Sequence, residues 1–200
     1  MPPSNPASSV SNPAEPLILV DSQDRELGQL SKAECHAGQG VLHRAFSIHL
    51  INGQGELLLQ QRSATKPLWP LYWSNSCCSH PRAGETMTSA VHRRLQQELG
   101  LACELHYLYK FEYQARYKDL GAEREVCWVY LGRCDQPPQA DPAELANWCY
   151  CSPAEIDRML TREEQSFTPW FKLEWEQLKR DFPDWLNPTY YRSQNHAPGN

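Results

Sequence analysis

The chain has 200 residues, 40% of them hydrophobic, and a formal net charge of −5 from 19 Lys and Arg against 24 Asp and Glu, which suits one domain with a sizeable core. The acidic balance argues against nucleic-acid or anionic-membrane surfaces, and no apolar run is long enough to cross a bilayer. Eight cysteines occur with no CxxC pair and no secretory h-region, so reduced thiols in a cytoplasmic protein, monomeric or weakly dimeric, are expected rather than a disulfide framework.

Residues 1–16, rich in Pro, Ser and Asn, read as a disordered lead. The domain is expected over 17–182, with a partly ordered tail at 183–200. Residues 17–21 form a short apolar strand ended by the polar turn 22–26. The glycine-punctuated stretch 28–40, with Lys32 and His36, reads as a loop or short helix. Strands are expected at 43–51 and 56–62, joined as a hairpin by Asn52-Gly53-Gln54-Gly55. Lys66-Pro67-Leu68-Trp69-Pro70 is a rigid connector, and Cys77-Cys78-Ser79-His80-Pro81, with no periodicity, a loop.

Met87, Val91 and Leu95 mark the apolar stripe of a helix over 85–99. Glu98 falls on that inward face, either as an ion ligand or as the i,i+4 partner of Arg94. Alternating aromatic residues predict a strand over 104–117, and strands return at 123–132 and 144–151. Ser152 and Pro153 open a helix, and a second spans 168–180. The sum is an α/β (α+β) fold, a mixed-sheet sandwich without a βαβ parallel series.

Ligand-type side chains gather near the apparent strand ends: His36, His43, His80, Glu123 and Glu125. Glu123 and Glu125 stand at i,i+2, so an extended chain points both carboxylates one way. Three imidazoles with two carboxylates suit a divalent ion, while any one of them alone also fits an ordinary strand edge or turn. The basic residues Lys32, Arg62, Lys66, Arg82, Arg93 and Arg94 flank the same segments. Metal ligands beside cations favour a phosphorylated or diphosphorylated small molecule over a macromolecule.

These residues fall into long, ordered motifs: His36 to His43 before Arg44-Ala45-Phe46-Ser47, Trp73-Ser74-Asn75-Ser76-Cys77-Cys78-Ser79-His80-Pro81, Arg93-Arg94 to Glu98-Leu99-Gly100, Glu123-Arg124-Glu125 and Phe167-Thr168-Pro169-Trp170. Over residues 17–179 the chain resembles the type 1 isopentenyl-diphosphate isomerases of the Nudix superfamily. Setting Gly100 at the end of the Nudix box puts Ser79, Arg94 and Gln97 where that box has glycine and two acids, leaving Glu85 and Glu98. The loss argues against pyrophosphate hydrolysis.

The resemblance implies a Nudix-like α/β/α sandwich that shifts the double bond of isopentenyl diphosphate to give dimethylallyl diphosphate. It implies a first ion, Mn2+, Zn2+ or Mg2+, on His36, His43, His80, Glu123 and Glu125, and a second, Mg2+ with the substrate diphosphate, on Glu98. Diphosphate contacts map to Lys32, Arg62, Lys66 and Arg94, and catalytic positions to Cys78, Glu125, Tyr113 and Trp170. In the implied chemistry Glu125 and Tyr113 deliver a proton to the alkene, Cys78 thiolate takes one from C2, and the Trp170 ring faces the cation between. Trp69-Pro70 and the His36 segment are expected as lids. Cys77 is read as a packing residue. A Nudix hydrolase and a degenerate binding module are the competing readings, the first set against the missing acids and the second against the intact acid/base and metal positions.

Overall fold

A nine-stranded sheet forms the centre of the protein in the computed structural model, which describes residues 12–187. In chain order the elements are β1 (Pro16–Val20), β2 (Glu26–Ser31), α1 (Lys32–His36), β3 (His43–Ile51), β4 (Leu57–Arg62), β5 (Trp73–Ser74) and β6 (Cys77–Ser79). Then follow α2 (Met87–Leu99), β7 (Leu105–Tyr117), β8 (Gly121–Arg133), β9 (Leu145–Cys151), α3 (Pro153–Glu163) and α4 (Pro169–Asp181).

β3 is the strand on which the rest is hung. Its residues from Ala45 to Ile51 are all buried, as expected of a strand covered on both faces. Its pleat sends Phe46, Ile48 and Leu50 beneath Val91, Leu95 and Leu99 of α2, each worth about 1.5–3 kcal/mol of burial. Ile51 faces the other way, into the core with Phe171, Trp175 and Leu178 of α4. The sheet is therefore sandwiched between helices, as expected.

The helix ends follow their local chemistry. Thr86 Oγ1 accepts the Ser89 N–H at 3.1 Å to cap α2, and Ser152 with Glu155 forms a capping box ahead of Pro153. Gly100 ends α2 at φ 63, where a Cβ would lie 2.8 Å from that of Gln139.

Four expectations need correction. β3 and β4 do not form a hairpin ladder: they meet at Ile51↔Leu57 and diverge, β3 pairing with β6 and, in parallel, with β8, and β4 with β5 and β9. The stretch read as loop or short helix contains β2 ahead of α1, an edge strand with Leu27 exposed and no alternation to betray it. The loop at Cys77 is the short strand β6. The chain is also placed ahead of Leu17: Pro13 and Glu15 carbonyls accept the Ala33 and Lys32 N–H groups at 3.0 and 2.8 Å, and Glu15 pairs with Arg82 at 2.9 Å. The rest of the expected lead, 1–11, and the tail from Pro188, with Tyr190 and Tyr191, lie outside the described residues.

Asp24, in the turn between β1 and β2, ties that edge to the centre of the sheet. Its carboxylate accepts from Arg44 Nε at 2.7 Å, and from Lys110 Nζ and Trp128 Nε1 at 2.9 Å each. Burial pushes the carboxyl up, but these donors and the Arg44 charge outweigh it and hold it below the ordinary range. A depressed folded pKa stabilises fully above the unfolded value of about 3.9 and is lost as pH falls through the folded one. Asp24→Asn is expected to cost about 1–3 kcal/mol at pH 7 in urea unfolding, and the gap to the parent protein should close below about pH 4.

Candidate active site

Three strands and one short helix bring the five ligand-type residues together. The parallel register sets His43, first in β3, opposite Glu125 of β8. The antiparallel pairing Phe46↔Ser79 carries His80, just past β6, to the same end of β3. His36 closes α1, where Gly121 admits the backbone: a Cβ there would lie 2.4 Å from the His36 carbonyl oxygen. Glu123 and Glu125 share one face of β8.

Their ligand atoms all lie within 4.8 Å of one another. His43 Nε2 is 3.4 Å from His36 Nε2 and 3.1 Å from His80 Nε2, and Glu125 Oε1 is 3.2 Å from His80 Nε2. Neighbouring ligands of an octahedral ion with bonds of about 2.1 Å stand about 3 Å apart. Two further observations fit an ion. His43 Nδ1 lies 2.7 Å from the Val41 carbonyl, which can only accept, so Nδ1 donates and Nε2 is the nitrogen turned to the centre. Glu123 Oε2 is buried without a well-formed hydrogen bond, although His36 Nε2 is 3.0 Å away. Burial pushes both carboxyls up, but the facing histidines, and Tyr113 for Glu125, hold them below the ordinary range, ionised for ligation.

A cavity of about 590 Å3 opens beside this cluster, walled by His36, His80, Glu123 and Glu125 on one side and by Cys78, Tyr113 and Trp170 on another. β6 settles which thiol faces it. Cys77 pairs with Ile48 and is fully buried under α2, whereas Cys78 pairs with Ser47 and turns to the cavity. Desolvation pushes the Cys78 thiol up to about 12, against the pull of Arg62, with Glu98 and Glu125 adding to the rise. The protein groups around Cys78 therefore favour the neutral thiol over the expected thiolate. Tyr113 donates its hydroxyl proton to Glu125 Oε2 at 2.7 Å, so one carboxylate meets the tyrosine with one oxygen and the histidines with the other.

The expected cations separate into two groups. Lys32, Lys66 and Arg94 line the cavity with Arg62. Arg62 is anchored by the chain: Nε and Nη2 donate to the Trp69 and Leu68 carbonyls at 3.0 Å each, Nη1 points at Cys78 Sγ 4.0 Å away, and the guanidinium lies 5.3 Å from the Trp170 ring centroid. Arg82 and Arg93 face elsewhere, Arg93 gripping Glu85 at 2.7 and 2.8 Å. Glu98 makes the i,i+4 pair with Arg94 and is not among the residues lining the cavity. Trp69 is no lid: it is 3% exposed and wedged between Tyr117 and Trp170, ring centroids 5.1 and 5.3 Å away.

Sequence reasoning missed two polar residues. Asn75, wholly buried, accepts the Trp170 indole N–H at 3.2 Å and donates to the Cys77 carbonyl at 2.7 Å, joining the aromatic wall to the thiol strand. Glu144, read as a strand start, lines the cavity and pairs with Lys66. Neither carries a spacing signal, since both partners are distant in sequence.

The fold has known counterparts. A crystal structure from Deinococcus radiodurans superimposes with a TM-score of 0.66 at 23% identity, covering 84% of this chain and 99% of that one. The MutT protein of Methanosarcina mazei gives 0.58 at 16% identity, over 70% and 94%. The NUDIX domain family matches residues 41–171, which makes the chain a Nudix-fold protein, of a class that uses divalent metals. Isopentenyl-diphosphate Delta-isomerase 1 of Photorhabdus laumondii is 41% identical over 174 residues, spanning 86% of this chain and 99% of that protein. The isopentenyl-diphosphate Delta-isomerase of Serratia proteamaculans is 43% identical over 157 residues, 78% and 87% of the two chains. Within the Nudix class, the chain belongs to the isopentenyl-diphosphate Delta-isomerase family.

Proposed function

We infer that the protein converts isopentenyl diphosphate to dimethylallyl diphosphate, with Cys78 and the Glu125–Tyr113 pair as its two proton-handling groups. One observation carries the reading: a thiol and a tyrosine-linked carboxylate line a single cavity that also presents Lys32, Lys66 and Arg94. Hydrolysis is not served, because Arg94 and Gln97 stand where the Nudix box has two acids, and the surviving Glu85 is held by Arg93.

Shifting the double bond needs one proton added at the terminal alkene carbon and one removed from C2. The two groups exchange these protons with the substrate, so none is gained or lost overall. Positive charge develops at C3 in between, and the Trp170 face stabilises it without adding a nucleophile. Lys32, Lys66, Arg94 and Arg62 hold the diphosphate. The five-ligand cluster takes a divalent ion, Mn2+, Zn2+ or Mg2+, which when bound fixes Glu125 and supplies positive charge to the cavity. Mg2+ would accompany the diphosphate, with Glu98 as its ligand on the protein. We read the protein as a cytoplasmic enzyme, monomeric or weakly dimeric, acting on allylic and homoallylic diphosphates rather than nucleic acid; among the described residues no helix is long and apolar enough to cross a membrane.

Incubation of the purified protein with isopentenyl diphosphate and Mg2+ tests this. Dimethylallyl diphosphate without released phosphate is the expected result. Phosphate with no isomer would sink the reading.

A further inference from the structure

Glu144 sits among groups meant for an anion. Its side chain is 2% exposed, it pairs with Lys66, and its Oε2 is 3.6 Å from Arg94 Nη2. Its position is fixed from both sides. The Glu144 carbonyl accepts the Ser63 N–H and its own N–H donates to the Asp141 carbonyl, each at 2.9 Å, while the Gln139 and Asp141 N–H groups bond to the Leu99 and Glu98 carbonyls at the end of α2 at 2.7 and 2.9 Å. The loop before β9 is thereby pinned to the helix that bears Arg94, and it holds a carboxylate against the cavity wall.

A counter-ion for buried lysine and arginine explains the burial of Glu144 but not its place on the wall, where a bound diphosphate must approach it. We propose that Glu144 is a specificity residue that makes the cavity select the metal-complexed diphosphate over the free anion. This rests on the reading of the cavity as a diphosphate site. A diphosphate carries a charge of about −3 near neutral pH and its Mg2+ complex about −1, so a fixed carboxylate repels the free form about three times as strongly. If each unit of ligand charge meets roughly a 3-fold penalty from Glu144 in this partly solvated cavity, the free anion is weakened about 30-fold and the complex about 3-fold. The net selectivity owed to Glu144 is then about 10-fold.

Glu144→Gln keeps the side chain's shape and an oxygen for Lys66 while removing the charge. The probe is inorganic diphosphate, titrated calorimetrically into the metal-loaded protein with and without saturating Mg2+, the metal content being measured before and after. The expected result is an affinity gain of about 30-fold for the free anion against about 3-fold for the complex. An unchanged preference, or an equal loss for both forms as a mere clamp would give, overturns the proposal. Should the single variant not fold, the same comparison is made between Lys66→Met and Lys66→Met/Glu144→Gln, where the charged pair is removed together. Wild-type protein that binds neither form overturns the diphosphate cavity itself. A protein that binds both and shifts as expected, yet does not isomerise isopentenyl diphosphate, keeps this inference and drops the functional reading.

Discussion

Cys78→Ala should lower kcat with isopentenyl diphosphate by at least about 10^3-fold, in the upper part of the range for loss of a proton-transfer group, while Cys77→Ala keeps most of its turnover. The two thiols are adjacent in sequence yet opposite in surroundings. Cys78 lines the cavity beside Arg62, and Cys77 packs with Ile48, Val91 and Leu95 beneath α2. Cys77→Ala should cost about 1 kcal/mol of stability from the small void it leaves. Cys78→Ala should fold normally, since its side chain is only partly buried at the cavity wall. Steady-state kinetics with thermal melts on both variants separates the outcomes. Comparable turnover in Cys78→Ala and wild type would refute the assignment, and lost turnover in Cys77→Ala at unchanged stability would assign the reaction to the wrong sulfur.

Which sulfur faces the cavity is partly legible in the sequence: alternation along an extended segment lets one of two neighbours point inward, and the step from Cys78 to His80 selects the pair. That this segment is a strand is not legible, because three residues are too few for a period to show. The strand at 26–31 escapes for a different reason, since an exposed edge strand with no buried face has no alternation to read. The turn Asn52-Gly53-Gln54-Gly55 signals a hairpin correctly as chemistry and misleads as topology. Turn residues fix the reversal, but the ladder beyond Ile51↔Leu57 belongs to whichever strands bury the two faces better.

Helices with capping signals are the easiest, and Ser152 to Glu155 reads the same from sequence and coordinates. The candidate metal ligands are legible as residue types, but their convergence depends on the parallel pairing of β3 with β8, which no local pattern encodes. Glu144 and Asn75 stay hidden for the same reason. Each acts through partners brought close by the tertiary fold, Asn75 through Trp170, 95 residues away.

Glu125 is the residue on which the two halves of the site meet, and its variants separate those halves. Oε1 faces His80 and His43 at 3.2 and 3.5 Å, and Oε2 accepts the Tyr113 hydroxyl at 2.7 Å. Glu125→Gln removes the charge from both sides at once. It should lower turnover by at least about 10^3-fold and weaken the bound divalent ion by about 10- to 100-fold, as loss of a ligand or its close support does. Tyr113→Phe touches one side, so it should cut turnover by about 10- to 100-fold while ion content after dialysis stays at the wild-type level. Metal analysis alongside kinetics reads the two losses independently. If Tyr113→Phe also lost its ion, the hydroxyl would be supporting ligation rather than proton transfer. If Glu125→Gln kept both ion and turnover, neither the cluster nor the proton path would run through Glu125.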